Sequence, residues 1–383
     1  MSITINDIAD QAVKATKMVA QVRGRMLAPE AVKSPPIFNA AQLAALCEVD
    51  KRHIDYQLTR DHLPSGVLNE RRRREFTLAE ARTWVSALRE KAARPAGARA
   101  ATIAVGNFKG GVSKTTTAMT LAQGLSLRGH NVLVVDMDPQ GSLTTLFGIL
   151  PDTEVREEDT FVPLANGDES AIDYAIRSTY WDGIDLVPAA PSLFTCEFGL
   201  PARQMRDPSF EFWNVLNAGL DSVRDRYDVI LIDTPPALSY STINAFMAAD
   251  GLIVPTPPNA LDFASSAQFW TLFSDLALNL TQSTGVDKTF EFIHVLLARV
   301  DHSDVAASVV RQWITATYAE KVLPVEIPKT TVTTASSAEF NTVYDITRYE
   351  GNAATYRRAR EAYDRVTELI EQSIVAFWAK SAQ

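Results

Sequence analysis

The sequence predicts an α/β fold, a mostly parallel sheet flanked by helices, with a smaller helical domain ahead of it. Three observations carry this prediction. From residue 102 onward, continuous apolar runs of strand length alternate with helical segments, as in strands buried on both faces beneath crossover helices. A glycine-rich loop joins the first of these runs to the first of these helices. Residues 93–100 (ARPAGARA) are small, hold Pro and Gly, and read as a linker between two chain regions of different pattern.

The elements follow in order. Residues 3–27 place Ile5, Ile8, Ala12, Ala15, Val19 and Val22 at three- and four-residue spacing and predict a helix, before Ser34-Pro35-Pro36 breaks the chain. Asn39–Cys47 predicts a short capped helix, Glu48–Asp50 a turn, and Lys51–Arg60 a second, basic helix. Leu63-Pro64-Ser65-Gly66 starts another turn, Glu70–Phe76 carries four consecutive arginines, and Leu78–Arg89 predicts a helix with Trp84 and Leu88 inward. Beyond the linker, Thr102–Val105, Asn131–Asp136, Val229–Ile232 and Leu252–Val254 predict strands, with weaker candidates at Phe292–Leu297 and Val322–Ile327. Thr115–Arg128 predicts the helix after the first strand, and residues 353–378 a closing amphipathic helix.

Composition bounds the function. A chain of 383 residues with 46% apolar content suits two domains with a substantial core. Cys47 and Cys196 are the two cysteines and lie far apart, which fits neither a disulfide framework nor a metal cluster and suits a reducing cytosol. The N-terminal segment lacks a signal-type apolar core, and no apolar run is long enough to predict a membrane span. Net charge is −9, but unevenly spread: residues 1–100 carry 17 Lys/Arg against 11 Asp/Glu, the remainder 20 against 35. A basic head on an acidic body predicts that the head meets a polyanion.

The loop after the first strand reads Gly106-Asn107-Phe108-Lys109-Gly110-Gly111-Val112-Ser113-Lys114-Thr115-Thr116. Strand, glycine-rich loop and helix in that order make a phosphate loop, and so a P-loop NTPase fold. Gly110 and Gly111 let backbone N–H groups approach an anion. Val112, Ser113, Thr116 and the helix N-terminus supply further amides. Lys114 reaches the β and γ phosphates, and the Thr115 hydroxyl can ligate Mg²⁺. Ser113 stands where the standard pattern has glycine, and a second lysine, Lys109, precedes it. Asp136 and Asp138 close the second strand, pointing the same way by strand alternation, and ligands in such sheets sit beyond strand carboxyl ends. Asp233 ends the third apolar run, where a carboxylate holds Mg²⁺ through water.

Helix, tight turn and basic second helix fit a helix-turn-helix. Lys51, Arg52, His53 and Gln57 would face a major groove, and Arg71, Arg72, Arg73 and Arg74 would form a wing gripping phosphates. The other readings are a solvated arginine run and a protein-docking module. The helix over 3–27 either pairs with its copy in a dimer or caps the body. The expected division is 1–36, N-terminal helix; 37–92, winged helix-turn-helix domain; 93–100, linker; 101–383, P-loop ATPase domain.

The KGGxxKT loop from Lys109 to Thr115 resembles the deviant Walker A motif of the ParA/MinD family of ATPases. Asp136-Met137-Asp138-Pro139-Gln140-Gly141 is similar to that family's DxDPQG motif, and Tyr227–Pro236 and Ala249–Pro258 are similar to its later segments. The resemblance covers about residues 101–370, and the N-terminal block is similar to the extension of the larger, plasmid-type ParA proteins. It implies an ATPase with slow intrinsic turnover, using ATP and Mg²⁺. Lys109 would cross to the partner's nucleotide in a homodimer, Asp138 would position or activate the attacking water, Asp136 would support the metal shell, and Gln140–Thr145 would sense the nucleotide. It further implies DNA segregation: the closed dimer binds nonspecific DNA, a ParB-type centromere-binding partner stimulates hydrolysis, and the extension represses its own operator. Lys329, Arg348, Arg357 and Arg358 are candidates for the nonspecific contact. The turn around Pro328-Lys329 matches the family's base-binding turn only loosely, so the adenine contacts stay unassigned. The implied location is cytoplasmic and nucleoid-associated, in a bacterium. The alternative is a nucleotide-gated transcriptional repressor without a transport role. Paired cysteines for an iron–sulfur cluster are lacking, the histidines are dispersed, and Tyr363–Gln383 carries Glu368 and Glu371 and few cations, so no cluster, no metal beyond Mg²⁺ and no membrane contact is expected.

Overall fold

The apolar runs become the middle of a parallel sheet. The computed structural model describes residues 4–26, 33–60, 62–89, 92–285, 287–330, 341–346 and 351–381. It divides into two units, Met1–Ser34 and Pro35–Gln383. The first holds one helix, α1 (Ile5–Met26), whose Ile5, Ile8, Val13 and Met18 are exposed.

In the second unit the main sheet contains β4 (Ala101–Val105), β5 (Val132–Asp136), β6 (Arg177–Ser178), β7 (Ile184–Val187), β8 (Val229–Asp233), β9 (Gly251–Thr256), β10 (Phe292–Val300) and β11 (Val322–Pro328). Their order is β11-β10-β9-β4-β8-β5-β7-β6, parallel throughout except for the antiparallel edge strand β6. Every residue of β4, β5, β8 and β9 is buried, which is why these runs carry no polar alternation. The runs at 292 and 322 are strands as well, and extend three residues and one residue further than the pattern predicts. The edge pair β6 and β7 gives almost no apolar run and was not foreseen.

One sheet face is covered by α5 (Lys114–Leu127) and α13 (Ala353–Ser381), the other by α7 (Val162–Asn166), α8 (Cys196–Arg206), α9 (Val215–Leu220), α10 (Tyr240–Ala248) and α11 (Ala260–Thr284). α6 (Ser142–Leu146) follows β5, and α12 (Val305–Tyr318) packs on β10 and β11. α5 is buried on nearly every side, and Gly124 lets it press against α13: a Cβ there would lie 2.3 Å from the Thr367 hydroxyl.

Ahead of the sheet lies a small block: β1 (Phe38–Asn39), α2 (Ala40–Leu46), α3 (Lys51–Leu58), β2 (Val67–Leu68), β3 (Arg74–Phe76) and α4 (Leu78–Leu88). Asn39 and Thr77 start α2 and α4 with reciprocal capping boxes. The antiparallel order is β1-β3-β2. Leu43, Ile54, Phe76 and Trp84 form its interior, which is continuous with the core between α5 and α13. The stretch read as a linker is anchored: Arg94 bonds Asp228 and the carbonyls of Ala98, Arg224 and Asp225, and Ala98 and Ala100 are buried.

Candidate active site

The carboxyl ends of β4, β5 and β8 lie side by side, with Asp233 opposite Val105 on one flank and Asp136 on the other. At Gly106 a Cβ would sit 2.4 Å from the Phe246 ring, so the chain leaves β4 against α10 only without a side chain. Asn107 fixes the start of the loop: its amide donates to the Pro255 carbonyl at 2.9 Å, and its oxygen accepts the Lys109 N–H at 3.1 Å. Gly111 (φ +74°) and Ser113 (φ +76°) are both left-handed and turn the chain into α5. Ser113 therefore takes the conformation that makes glycine usual there, at a cost of about 1–2 kcal/mol. Its side chain caps nothing. The helical bonding starts with the Thr117 N–H on the Ser113 carbonyl, so the amides of Lys114, Thr115 and Thr116 precede it. A bare helix start of this kind suits an anion.

Lys114 is only 6% exposed, and its ammonium donates to the Lys109 carbonyl at 3.0 Å. Burial pulls its pKa down, opposed by Asp233 and Asp138. Asp233 is fully buried, and among the described residues neither carboxylate oxygen has a hydrogen-bond partner. Burial pushes its pKa well above the usual range and Asp136 adds to that, while the Thr115 hydroxyl and Lys114 oppose it. An unpartnered buried carboxylate is costly and persists where a ligand completes it. Two idle carboxylate oxygens near a threonine hydroxyl fit Mg²⁺ held through Thr115 and water.

Asp136 differs. Its Oδ2 accepts the backbone N–H and the hydroxyl of Thr144 at 2.9 and 2.7 Å, and its Oδ1 accepts the Asp138 N–H at 3.1 Å. Burial raises its pKa to about 7 against the pull of the Thr144 bonds. It braces the segment Gln140–Thr145 rather than presenting free oxygens. Asp138 lies beyond the end of β5, in a turn closed by the Gly141 N–H on its carbonyl, so strand alternation does not orient it. It is half-buried, accepts the Gln140 N–H at 3.0 Å, and is near enough to Lys114 to favour the ammonium. Lys109 is half-buried, and among the described residues no hydrogen bond or ion pair engages its ammonium. Beside Gly110 the space is open, the nearest atom to a Cβ there being Pro236 Cβ at 4.0 Å. Val112 is buried and Thr116 half-buried.

A cleft of about 220 Å³ adjoins the loop, lined in part by Pro257, Asn259, Asp262, Arg299, Asp301 and Lys329. Arg299 connects the two, its Nη1 donating to the Gly111 carbonyl at 2.7 Å. Sequence reading missed it, along with Thr144 and Glu197, whose carboxylate caps the start of α10. No sequence signal marks these contacts: Arg299 and Glu197 reach partners 188 and 44 residues away, and Thr144 folds back on Asp136 eight residues before it. Arg348 lies outside the described residues, and Arg357 and Arg358 are exposed on the first turns of α13.

In the N-terminal block, Lys51 and Arg52 are exposed in the first turn of α3, whose Ile54 is buried. His53 and Gln57 are half-buried and 3.3 Å from each other, so they do not share the outer face. Tyr56, 51% exposed with Arg60 over its ring, stands there instead. Arg71, Arg72 and Arg73 are exposed on the turn between β2 and β3, where Asn69 Oδ1 accepts the N–H groups of Arg71 and Arg73. Arg74 turns back to donate to the Ser65 carbonyl and braces the hairpin. Burial pushes the Cys47 and Cys196 thiols up to about 12, away from the thiolate form that a metal cluster needs.

Comparison with known proteins places the fold. A family model described as an AAA domain matches residues 100–286. The protein SopA of Escherichia coli K12 is 31% identical over 79% of this chain and 78% of its own. The chromosome-partitioning ATPase Soj of Thermus thermophilus is 31% identical over 70% of this chain and 96% of its own. A solved partition protein covers 95% of this chain and 98% of its own at 20% identity, with a TM-score of 0.65. Cobyrinic acid a,c-diamide synthase from Mycobacterium smegmatis, solved with ADP and magnesium, is 27% identical over 71% of this chain and 94% of its own, with a TM-score of 0.54.

Proposed function

Because the chain belongs to the ParA/Soj/SopA family of partition ATPases, we propose that it binds ATP with Mg²⁺ and hydrolyses it to drive DNA segregation. The observation that carries this reading is the fully buried Asp233 carboxylate with both oxygens unpartnered, beside Lys114 and the bare start of α5. Lys114 and the amides of residues 110–116 hold the β and γ phosphates. Thr115 and, through water, Asp233 would hold Mg²⁺, and Asp136 would support them indirectly by fixing the segment that follows β5. The bound ion would neutralise charge on the phosphate oxygens. Asp138, half-buried and outside the strand, orients the attacking water. The cleft by Arg299, Asp301 and Lys329 takes the nucleoside end.

Among the described residues the Lys109 ammonium has no partner of its own, which supports a role across a homodimer, on the second copy's nucleotide. The closed dimer binds nonspecific DNA through exposed cations such as Arg357 and Arg358, and a ParB-type partner accelerates turnover. Residues 37–92 act as a winged helix-turn-helix for an operator: Lys51 and Arg52 enter the groove, and Arg71, Arg72 and Arg73 grip phosphates. Such contacts weaken steeply with salt. The exposed face of α3 equally supports a nucleotide-gated repressor, and partition assays with Lys51→Ala/Arg52→Ala separate the two, since a pure repressor would lose all function. Asp138→Asn tests the core of the proposal. It should bind ATP as the unaltered protein does and hydrolyse it at least about 100-fold more slowly. Unchanged turnover would remove Asp138 from the reaction.

A further inference from the structure

β10 does not run evenly into the cleft. It pairs Leu297 with Glu326 and Val300 with Pro328 of β11, so three steps on one strand answer two on the other. The step before it, from Val295 to Leu297, answers four residues on β11, so the register is irregular on both sides of Leu297, and such an irregularity, like a β-bulge, re-aims a side chain beside a site. Arg299 sits in this irregular stretch with φ +55°, a left-handed conformation costly for a long side chain. Ala298 before it and Val300 after it are buried, whereas Arg299 is exposed to the cleft. From there its guanidinium reaches the carbonyl of Gly111, 188 residues away in sequence, at 2.7 Å. Strain held at one residue that touches two parts of a site is the kind of outlier from which function is inferred.

We propose that Arg299 is a positioning residue for nucleotide hydrolysis, its guanidinium locking the Gly111–Val112 peptide of the phosphate loop and linking that lock to occupancy of the neighbouring cleft. The proposal rests on the triphosphate reading of the loop given above. A trans peptide points its C=O and N–H in opposite directions. A guanidinium fixed on the Gly111 oxygen therefore fixes the Val112 N–H the other way, and bars the flip that would turn an oxygen toward an anion. A nucleoside lying in the cleft strips water from Arg299 and strengthens its bond to Gly111. The base end of the ligand thereby tightens the grip on the phosphate end.

The test compares ATP with inorganic tripolyphosphate, each with Mg²⁺, by calorimetry on the full chain, together with steady-state ATP hydrolysis. Arg299→Gly removes the guanidinium and accepts the left-handed backbone without strain, so folding is not at risk. We expect kcat/KM for ATP to fall about 10- to 100-fold, as for loss of one charge-assisted hydrogen bond. ATP should lose more affinity than tripolyphosphate, the melting temperature should hold or rise, and Arg299→Lys should recover part of the loss. An Arg299→Gly protein within about two-fold of the original kcat/KM, or one weakened equally toward both ligands, would overturn the proposal. If the unaltered protein binds neither ligand, it is the triphosphate reading that fails.

Discussion

The two ends of α5 are finished to opposite standards. The start is bare: an uncapped left-handed Ser113, amides ahead of the first helical bond, a buried lysine and an unpartnered buried carboxylate. The far end, about 21 Å away along a 14-residue helix, has its carbonyls met by Arg82 of α4 and by Arg89, the residue that follows α4. Arg82 donates to the Ser126 and His130 carbonyls, to Asn131 and to Asp182, and Arg89 donates to the Arg128 carbonyl. Glu371 of α13 joins Arg89, Arg128 and His130 in one buried ionic cluster. Cations suit a helix C-terminus as anions suit its start, yet only the C-terminal end receives its counter-groups from the chain. One end is completed by folding, and the other is left for a ligand.

Substitutions at the two ends should therefore fail in different assays. Lys114→Ala should cost at least about 100-fold in ATP affinity by calorimetry, in line with losing a charged phosphate contact, while circular dichroism stays that of the parent. An unfolded variant would show that the bare end also serves stability. At the finished end the loss should be in stability. Burial alone would raise the Glu371 pKa, but His130, Arg89 and Arg128 together hold it near 2, below its ordinary 4.5. A depressed carboxylate stabilises above its unfolded pKa and loses that contribution as pH falls through the folded one. Glu371→Gln should thus cost on the order of 3 kcal/mol near neutrality. In thermal melts the gap to the parent should be constant above about pH 5.5 and close between pH 4.5 and 2. A gap independent of pH would mean that the cluster acts by packing alone.

Asp233 sharpens the contrast, because function and stability should move in opposite directions there. Asp233→Asn removes a buried carboxyl whose ionised form burial disfavours and whose oxygens no hydrogen bond engages among the described residues, and should raise the stability of the nucleotide-free protein by about 1–2 kcal/mol. The same change should abolish Mg²⁺-dependent hydrolysis. A destabilised variant would mean that the carboxylate already has an unrecognised partner within the fold.

The unfinished end was the legible one. A ligand that binds through backbone amides needs glycines, a lysine and a threonine at fixed spacing, and that spacing is local, so Gly110 to Thr116 can be read directly. Asp233 is legible for the same reason, a carboxylate where a continuous apolar run stops. The finished end was opaque. Arg82, Arg89 and Glu371 meet α5 across 39 to 243 residues of chain, and nothing in an arginine's neighbours announces which carbonyl it will find. Within the small block the helical pattern is readable, but how far each side chain of α3 is exposed is not: His53 and Gln57 are half-buried and Tyr56 exposed, because that depends on Ile54 and the shared core beneath it. Residues 93–100 looked like a linker because small residues carry little apolar bulk. Arg94 holds them down through backbone carbonyls that no composition reveals. For the same reason truncation is a poor test of the N-terminal block: removing it would expose the core it shares with α5 and α13, and surface substitutions on α3 are cleaner.

Ser113 gives the smallest effect and the finest test of what the bare end costs. Its left-handed backbone carries about 1–2 kcal/mol of strain that glycine would not. Glycine also frees the unfolded chain, at about 0.4–1 kcal/mol. Ser113→Gly should therefore gain no more than about 1.6 kcal/mol, a rise of about 1–3 °C in melting temperature, with ATP affinity kept. Ser113→Ala keeps the strain and loses only a hydroxyl that caps nothing, so it should melt within about 1 °C of the parent. If alanine instead cost as much as a lost helix cap, about 1 kcal/mol, the hydroxyl would be satisfying the helix start after all, and the end described here as bare would already be partly closed by the chain itself.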